Sequence, residues 1–291
     1  MPSGQLDEIV ARLASARGRD FEQAVSDSFG FLWFDSHMPT EEASSDVIVE
    51  ALLAANPYFI VIECNAVDDT NEVGYEKLGQ LRGNFPSYMD SRRRTLFKRG
   101  YKLIVGRPRF SRNTIDRSAN DVSLLSAAVL TELIRAHSKY HFSEDEVEVL
   151  LQTAGEIMSD QIKAVINSKL REISVCALVL VSLFDDYTLG REKRKNFVPM
   201  MQAAGEAQAY ARILGIENVS TGEVLDAIKS MSGPFFRLVT TRSDEVRLAS
   251  IPFSSAPEFE SGSGAELKGL FTLYSNRLDT LRRSAQATSG G

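Results

Sequence analysis

Hydrophobic residues recur in two patterns over the first 140 positions, and these predict helices and strands in alternation. Apolar residues at helical spacing predict helices over 6–13, 20–29 and 123–136. Continuous apolar runs rich in β-branched and aromatic residues predict strands over 58–63 and 101–105, and a shorter run over 46–50 predicts another. Runs that are apolar on both faces are typical of strands in a sheet covered by helices. The pattern therefore predicts an α/β fold in which helices flank a mixed sheet.

Helical patterns dominate the rest of the chain. Ser143 followed by Glu146 is a capping-box signature for a helix that begins near 144. A later helix from 220, followed by two apolar runs that flank the polar turn 241–245, predicts a helix and a hairpin. This order is typical of a winged helix, and the alternative interpretation is a helical support or dimerisation domain.

Three regions follow from these patterns in the 291-residue chain. Residues 1–140 are predicted to form the α/β domain, and 141–253 a helical domain with the winged-helix order. Residues 254–291 are predicted to hold a linker rich in Ser, Gly and Pro, a terminal amphipathic helix and a disordered tail. The length fits one large domain or two ordinary ones.

Composition excludes several classes of protein. The longest apolar run, 173–184, is too short for a membrane helix, and the N-terminus has no apolar signal-peptide region. The two cysteines do not make a disulfide framework, so we expect a cytoplasmic protein with no membrane partner. No G-x-x-x-x-G-K-[ST] loop occurs, so we expect no nucleotide cofactor. His137 and His141 are interpreted as surface or interface histidines rather than as a zinc pair.

Positive charge is concentrated in one segment. The chain has a net charge of −6, but residues 82–117 carry +9, which leaves −15 on the rest of the chain. Such asymmetry can mark a polyanion-binding surface on an acidic body. The segment is predicted to contact DNA phosphates, and the predicted contact residues are Arg82, Arg92, Arg93, Arg94, Lys98 and Arg99.

Two acidic residues stand at the ends of predicted strands. Asp46 begins one strand and Glu63 ends the next. Carboxylates at neighbouring strand ends can converge, and two hard oxygen ligands suit Mg²⁺, which keeps several waters and binds phosphate oxygens as well. The backbone carbonyl of Cys64 is a further candidate ligand.

These residues belong to an ordered set that resembles the PD-(D/E)XK nuclease superfamily. The set is Gly18-Arg-Asp-Phe21-Glu22, Ser45-Asp46, Glu63-Cys64-Asn65 and Gly79-Gln80. The resemblance covers roughly residues 15–135 and implies a restriction-endonuclease-like fold. It implies that Asp46 and Glu63 bind the metal, that Glu22 is an accessory acidic group, and that Gln80 supports the site or touches the DNA backbone.

The sequence departs from the family pattern at two positions. Ser45 stands in place of the motif proline, and Asn65 in place of the motif lysine. Asn65 can orient a water but supplies no charge. Lys77 or Arg82, on the predicted helix over 75–88, is the candidate for the missing cation.

The resemblance implies a Mg²⁺-dependent DNA endonuclease, most like a type II restriction enzyme, with Mn²⁺ as a substitute metal. Its partner is double-stranded DNA and its products carry 5′-phosphates. Because a double-strand cut needs two active sites, a homodimer, at least a transient one, is expected. Two alternatives stay open: a nuclease-fold module that binds DNA without cutting it, and a repair or defence nuclease that reads DNA structure or modification.

Overall fold

The chain folds into two compact units in the computed structural model, Met1–Ile166 and Asn167–Gly291. The structure describes residues 3–40, 45–68, 70–93, 96–189, 197–232, 238–249 and 262–289. The predicted domain boundary at 140/141 lies earlier than this division, because the helix and strand that follow residue 140 join the first unit. Most of the predicted linker, 254–261, lies outside the described residues.

The first unit alternates helices and strands. In chain order its elements are α1 (Ser3–Ser15), α2 (Arg19–Phe31), β1 (Asp35–His37), β2 (Val47–Ala51), β3 (Tyr58–Ala66), α3 (Glu76–Arg93), β4 (Arg99–Arg107), α4 (Arg112–Ser118), β5 (Ser123–Ser126), α5 (Ala127–Tyr140), α6 (Glu144–Leu151) and β6 (Gly155–Ile157). Helix α7 (Ser159–Leu189) follows and runs past the division between the units.

A mixed six-stranded sheet, in the order β1-β2-β3-β4-β5-β6, forms the centre of this unit. Strands β1, β2 and β3 pair antiparallel, whereas β3 to β6 pair parallel. One face of the sheet packs against α1, α2 and α5, and the other against α3 and α4. The predicted architecture of a mixed sheet flanked by helices is thus confirmed, and it is consistent with the restriction-endonuclease-like fold that the resemblance implies.

The secondary structure of residues 123–136 differs from the sequence prediction. The predicted single helix is wrong in its first turn, because Ser123–Ser126 form β5, which lies between β4 and β6. The Ser126 side chain then accepts a hydrogen bond from the Val129 N–H and caps α5. A four-residue buried strand is too short to show a period of its own, so the helical period that follows masks it.

The second unit is mostly helical, as predicted. This unit begins within α7. In chain order it then contains β7 (Val198–Pro199), α8 (Met200–Leu214), α9 (Thr221–Ser232), β8 (Val239–Arg242), β9 (Glu245–Leu248) and α10 (Gly262–Ser289). The three strands form a sheet in the order β7-β9-β8, and this order of helices and strands is typical of a winged helix. The prediction of a disordered tail is wrong for residues 284–289, because α10 continues through them.

Among the described residues, no helix combines the length and the apolarity that crossing a bilayer requires.

Glu144 fixes the connection between the two strands that carry the candidate acidic residues. Its Oε2 accepts hydrogen bonds from the backbone N–H groups of Leu53 and Ala54, each at 2.6 Å, and its backbone carbonyl accepts one from the Tyr58 hydroxyl at 2.7 Å. Burial raises the pKa of the Glu144 carboxyl, against the effect of the Leu53 and Ala54 hydrogen bonds. The β2–β3 connection is therefore anchored to the start of α6.

Replacing Glu144 by alanine is expected to lower the free energy of unfolding by about 2 kcal/mol, because two backbone N–H groups lose a charged acceptor. Urea denaturation measures this change. Glu132→Ala, which removes an exposed carboxylate on α5, is the matched control and should change stability by less than about 0.5 kcal/mol. Equal effects of the two substitutions would show that Glu144 does not anchor the connection.

Candidate functional site

Asp46 and Glu63 lie side by side at one end of the sheet. Strands β2 and β3 pair antiparallel with Val47 opposite Ile62, so Asp46 comes just before the pairing and Glu63 just after it. Beyond the last backbone pair, the Asp46 side chain continues the contact between the strands, because its Oδ2 accepts a hydrogen bond from the Cys64 N–H at 2.7 Å. The antiparallel register therefore brings together two acidic residues that are 17 positions apart in the sequence.

Lys77, in the first turn of α3, joins the two carboxylates. Its ammonium donates to Asp46 Oδ2 at 3.2 Å and to Glu63 Oε2 at 3.0 Å. Residues 59, 61 and 63 of β3 face α3 because side chains alternate along a strand. A cation therefore lies between the two acidic groups, but it comes from α3 and not from position 65.

The three groups are shielded from water to different degrees. Glu63 is fully buried, whereas the side chains of Asp46 and Lys77 are 15% and 26% exposed. Burial, and then the Asp46 carboxylate, raises the pKa of Glu63 even though Lys77 opposes this rise. Burial lowers the pKa of Lys77, but its contacts with Glu63 and Asp46 outweigh that effect and the net shift is upward. The ammonium stays charged, and Glu63 is left with an environment that suits a further cation.

Glu22 and Cys64 share the same electrostatic environment. Burial, and then the Asp46 carboxylate, raises the pKa of Glu22, while Lys77 and Arg19 lower it. Burial raises the pKa of the Cys64 thiol well above its usual value, and its side chain packs in the core on the α2 side of the sheet. Glu22, on α2, thus feels the charge of Asp46, and its accessory role stays a prediction, whereas the Cys64 thiol is a buried core group.

Tyr88 is a supporting residue that the sequence did not reveal. Its hydroxyl accepts a hydrogen bond from the Ser45 N–H at 3.1 Å, which ties the residue before Asp46 to α3. Tyr88 lies 11 positions after Lys77, which is about three helical turns, so both lie on one face of α3. That spacing is the only signal in the sequence that could have indicated Tyr88.

Asn65 and Gln80 lie on the elements that carry Glu63 and Lys77. Asn65 is half-buried on β3, two positions after Glu63, and therefore lies on the same face of the sheet. Gln80 is exposed on α3 and lies one turn after Lys77, so the two are neighbours on the helix surface. Their catalytic and supporting roles stay predictions.

Arg82 is engaged away from the site. Its guanidinium donates to the Asp121 carboxylate and to the Arg117 carbonyl, and this contact raises the pKa of Arg82 and lowers that of Asp121. Of the two candidates for the missing cation, the structure therefore brings only Lys77 to the carboxylates.

Much of the positive charge in the basic segment is neutralised by the chain itself. Arg99 pairs with Glu148 at 2.9 Å and donates to the Asn56 carbonyl at 2.8 Å, and Lys102 pairs with Asp121. Lys98 is exposed. Arg92 and Arg93 end α3 but their side chains are outside the description, as is the whole of Arg94. Because both acids lie outside 82–117, the segment presents less positive charge than its local sequence suggests.

The residues present fit a divalent metal ion. Glu63 Oε1 is buried and makes no hydrogen bond of ordinary geometry among the described residues. The Ser45 hydroxyl lies close enough to lower the pKa of Glu63, and a bound cation would be a stronger partner for this oxygen. No group of three or more His, Cys, Asp or Glu side chains suited to a metal occurs in the described ranges. Asp46 and Glu63 therefore offer two carboxylates, which matches the way Mg²⁺ is bound by one or two carboxylates plus water and phosphate oxygens.

Comparisons with known proteins found solved structures only. No family model matches the chain, and no curated protein matches it. The chain is similar to the restriction endonuclease FokI, with 14% identity over 54% of this chain and 31% of that one, at a TM-score of 0.40. FokI bound to DNA gives 15% identity over 52% and 30%, at 0.37.

The DNA modification-dependent restriction endonuclease AspBHI gives 14% identity over 58% of this chain and 40% of that one, at a TM-score of 0.32. The chain thus spans less than half the length of each of these structures. Likeness at this level transfers neither the activity nor the functional residues of those proteins to this chain.

Proposed function

We propose that the protein is a metal-dependent endonuclease that hydrolyses phosphodiester bonds in double-stranded DNA. The observation that supports this proposal best is the convergence of Asp46, Glu63 and Lys77 at one end of the sheet. Two carboxylates and a lysine can serve phosphodiester hydrolysis, because the carboxylates can hold a metal that activates water and the lysine can compensate negative charge at the same phosphate.

Asp46 and Glu63 are the residues that would hold Mg²⁺ or Mn²⁺, with the Cys64 carbonyl as the further ligand and Glu22 as the accessory acid. When bound, the metal supplies acidification of water and neutralisation of the charge that develops on phosphorus. Without the metal, Glu63 pairs with Lys77 through Oε2, and its buried Oε1 has no hydrogen bond among the described residues.

Lys77 takes over the role that the family assigns to the residue at position 65. Its ammonium is held 3.0 Å from Glu63 and 3.2 Å from Asp46, so it lies beside the position where a phosphate would meet the carboxylates. There it can hydrogen-bond the attacking water or neutralise the negative charge of the transition state. Asn65, on the same face, can orient that water through its amide oxygen.

Hydrolysis then proceeds by in-line attack of water on phosphorus, with departure of the 3′-oxygen, which takes up a proton. Cleavage of the bond between phosphorus and the 3′-oxygen leaves a 5′-phosphate on one product and a 3′-hydroxyl on the other. The described part of the chain holds one such site, so a cut in both strands calls for two copies of the chain, and we propose a homodimer that forms at least on DNA.

Cleavage of mixed plasmid and phage DNA tests this function. The protein is incubated with DNA in Mg²⁺, in Mn²⁺ and in EDTA, with Asp46→Ala alongside. We expect discrete fragments in either metal and none in EDTA or with the variant, because the variant lacks one of the two carboxylates. The variant should still bind DNA. Fragments that persist with Asp46→Ala would remove the site assignment.

Asn65 motivates the alternative of a module that binds DNA without cutting it, since it removes the charge at the motif position. A gel shift that weakens with salt, without cleavage in either metal, would favour this alternative. A comparison of methylated, unmethylated and branched DNA separates a sequence-reading enzyme from a repair or defence nuclease. Cleavage of only modified or branched DNA would favour the latter.

A further inference from the structure

Tyr75 and Arg117 form an exposed stacked pair that the proposed chemistry does not use. The Arg117 guanidinium lies over the Tyr75 ring, with its Cζ 4.2 Å from the ring centroid. Tyr75 is 43% exposed, and Arg117, in the last turn of α4, is exposed as well. A guanidinium that stacks through its flat face keeps the N–H donors along its edge available to a further partner. The pair therefore presents a positioned set of donors to solvent.

The segment before Tyr75 lies on the same face and at the same end of the sheet as the candidate site. Val73 pairs with Phe110, which follows the end of β4. Strands β3 and β4 run parallel, so the end of β4 lies beside the part of β3 that follows Glu63. Val73 and Phe110 also pack with side chains of α3, the helix that covers the face carrying Glu63. Tyr75 is thus at the end of the sheet where DNA would meet the carboxylates.

Helix α3 fixes both members of the pair close to Lys77. Tyr75 precedes Lys77 by two residues, so their Cα atoms are within about 7 Å of each other. The Tyr75 carbonyl accepts a hydrogen bond from the Leu78 N–H at 3.0 Å, and the Arg117 carbonyl accepts one from the Arg82 guanidinium at 2.8 Å. Side chains of a helix lean toward its N-terminus, so Arg117 is directed from the end of α4 back toward Tyr75.

Arg117 keeps a positive charge that the chain does not neutralise. It forms no ion pair with a carboxylate among the described residues. Glu76, the residue after Tyr75, turns its carboxylate toward Gly74. Three other carboxylates of this region each pair with a different arginine: Glu72 with Arg109, Asp116 with Arg112, and Asp121 with Arg82. The stacked guanidinium is therefore available to an anion from outside the chain.

We propose that Arg117, held by Tyr75, binds a backbone phosphate of duplex DNA that flanks the phosphate at the Asp46–Glu63 pair, an inference that rests on the proposed function. The two carboxylates repel a DNA strand until a metal binds, so cations beside them have to hold it. One strand carries a phosphate for every 3.4 Å of helix rise, which places several phosphates next to the one at Lys77. The guanidinium edge matches two phosphate oxygens at once. Arg117 thus holds the strand and does not take part in bond breaking.

Arg117→Met tests the proposal without depending on cleavage. Affinity is measured by fluorescence anisotropy of a labelled random-sequence duplex in EDTA over a range of salt concentrations, and stability by urea denaturation. We expect affinity at low salt to fall about tenfold, and the slope of log affinity against log salt to become shallower by about 1. The unfolding midpoint should stay close to that of the parent, because Arg117 is exposed.

Three further variants refine the test. Arg135→Met makes the same substitution as Arg117→Met at an exposed position of α5, on the other face of the sheet, and should leave DNA affinity and its salt slope unchanged. Tyr75→Ala keeps the charge of Arg117 but removes the ring that holds it, so affinity should fall about threefold with the parent's salt slope. Tyr75→Phe keeps the ring and should bind like the parent.

Cleavage kinetics in Mg²⁺ give an independent measurement. Since Arg117 binds the strand equally before and during bond breaking, Arg117→Met should raise KM about tenfold and leave kcat at saturating DNA unchanged. A lower kcat at unchanged KM would contradict the proposal, because Arg117 would then act on the bond that breaks.

The results separate this proposal from the proposed function. Unchanged DNA affinity of Arg117→Met would overturn the proposal, and normal cleavage by the same variant would leave the nuclease standing. Failure of the parent to bind the duplex would overturn both. Weaker binding by Arg117→Met, with no cleavage by the parent in any metal, would support Arg117 as a phosphate contact and remove the nuclease activity. Equal affinity of Tyr75→Ala and the parent would remove Tyr75 from the contact.

Discussion

Asp46→Ala and Lys77→Met are both expected to abolish cleavage, by about 10³-fold or more, and to change metal affinity in opposite directions. Asp46→Ala removes a ligand and should weaken Mn²⁺ and Mg²⁺ binding. Lys77→Met removes the ammonium that lies 3.0 and 3.2 Å from the two carboxylates. Because a like charge disfavours metal binding between the same oxygens, this variant should bind the metal roughly tenfold more tightly, a difference of about 1.4 kcal/mol.

Isothermal titration of the DNA-free protein with Mn²⁺ measures the metal affinity independently of activity. Lys77→Arg keeps the positive charge and should retain the metal affinity of the parent. Lys163→Met makes the same substitution as Lys77→Met on an exposed lysine of α7 and should change neither metal affinity nor cleavage. Unchanged or weaker metal binding by Lys77→Met would show that the lysine does not compete for the carboxylates, and full cleavage by this variant would exclude it from catalysis.

The free energy of unfolding is expected to fall by about 2 kcal/mol between pH 7 and pH 5 through His137 alone. The sequence prediction of a surface or interface histidine is wrong for this residue, which is 2% exposed. Its ring lies among those of Phe31, Trp33 and Phe142, and neither ring nitrogen has a partner among the described residues. Burial, and then the neighbouring His141, lowers the pKa of His137 to about 4.

The sign follows from where each state takes up the proton. The unfolded histidine binds it near pH 6.5, whereas the folded one stays neutral until about pH 4, so acid favours the unfolded state between these values. His137→Phe should remove this part of the pH dependence in urea denaturation at pH 7 and pH 5, and His37→Phe, at an exposed position, should leave it intact. Equal pH dependence of the parent and His137→Phe would show that folding does not lower the pKa of His137.

The sequence predicts secondary structure best where one local pattern extends over several residues. The apolar runs over 58–63 and 101–105 predicted β3 and β4, and the capping box at Ser143 predicted the start of α6. Burial of apolar residues on both faces of a strand, and satisfaction of the first N–H groups of a helix, are requirements that a short segment meets by itself. The acidic ends of two neighbouring strands belong to the same class of signal, and the antiparallel register of β2 and β3 places Asp46 beside Glu63.

Tertiary structure alone decided which charges meet. Lys77 and Arg82 are five positions apart on one helix, yet α3 directs Lys77 to the carboxylates and Arg82 to Asp121. The basic segment likewise looks free in the sequence, but Glu148 and Asp121 arrive from distant positions and pair with Arg99 and Lys102. Hydrophobic period and capping are local, so the sequence determined the elements and the two acids, whereas charge pairing and burial depend on contacts between remote segments and were decided only by the folded chain.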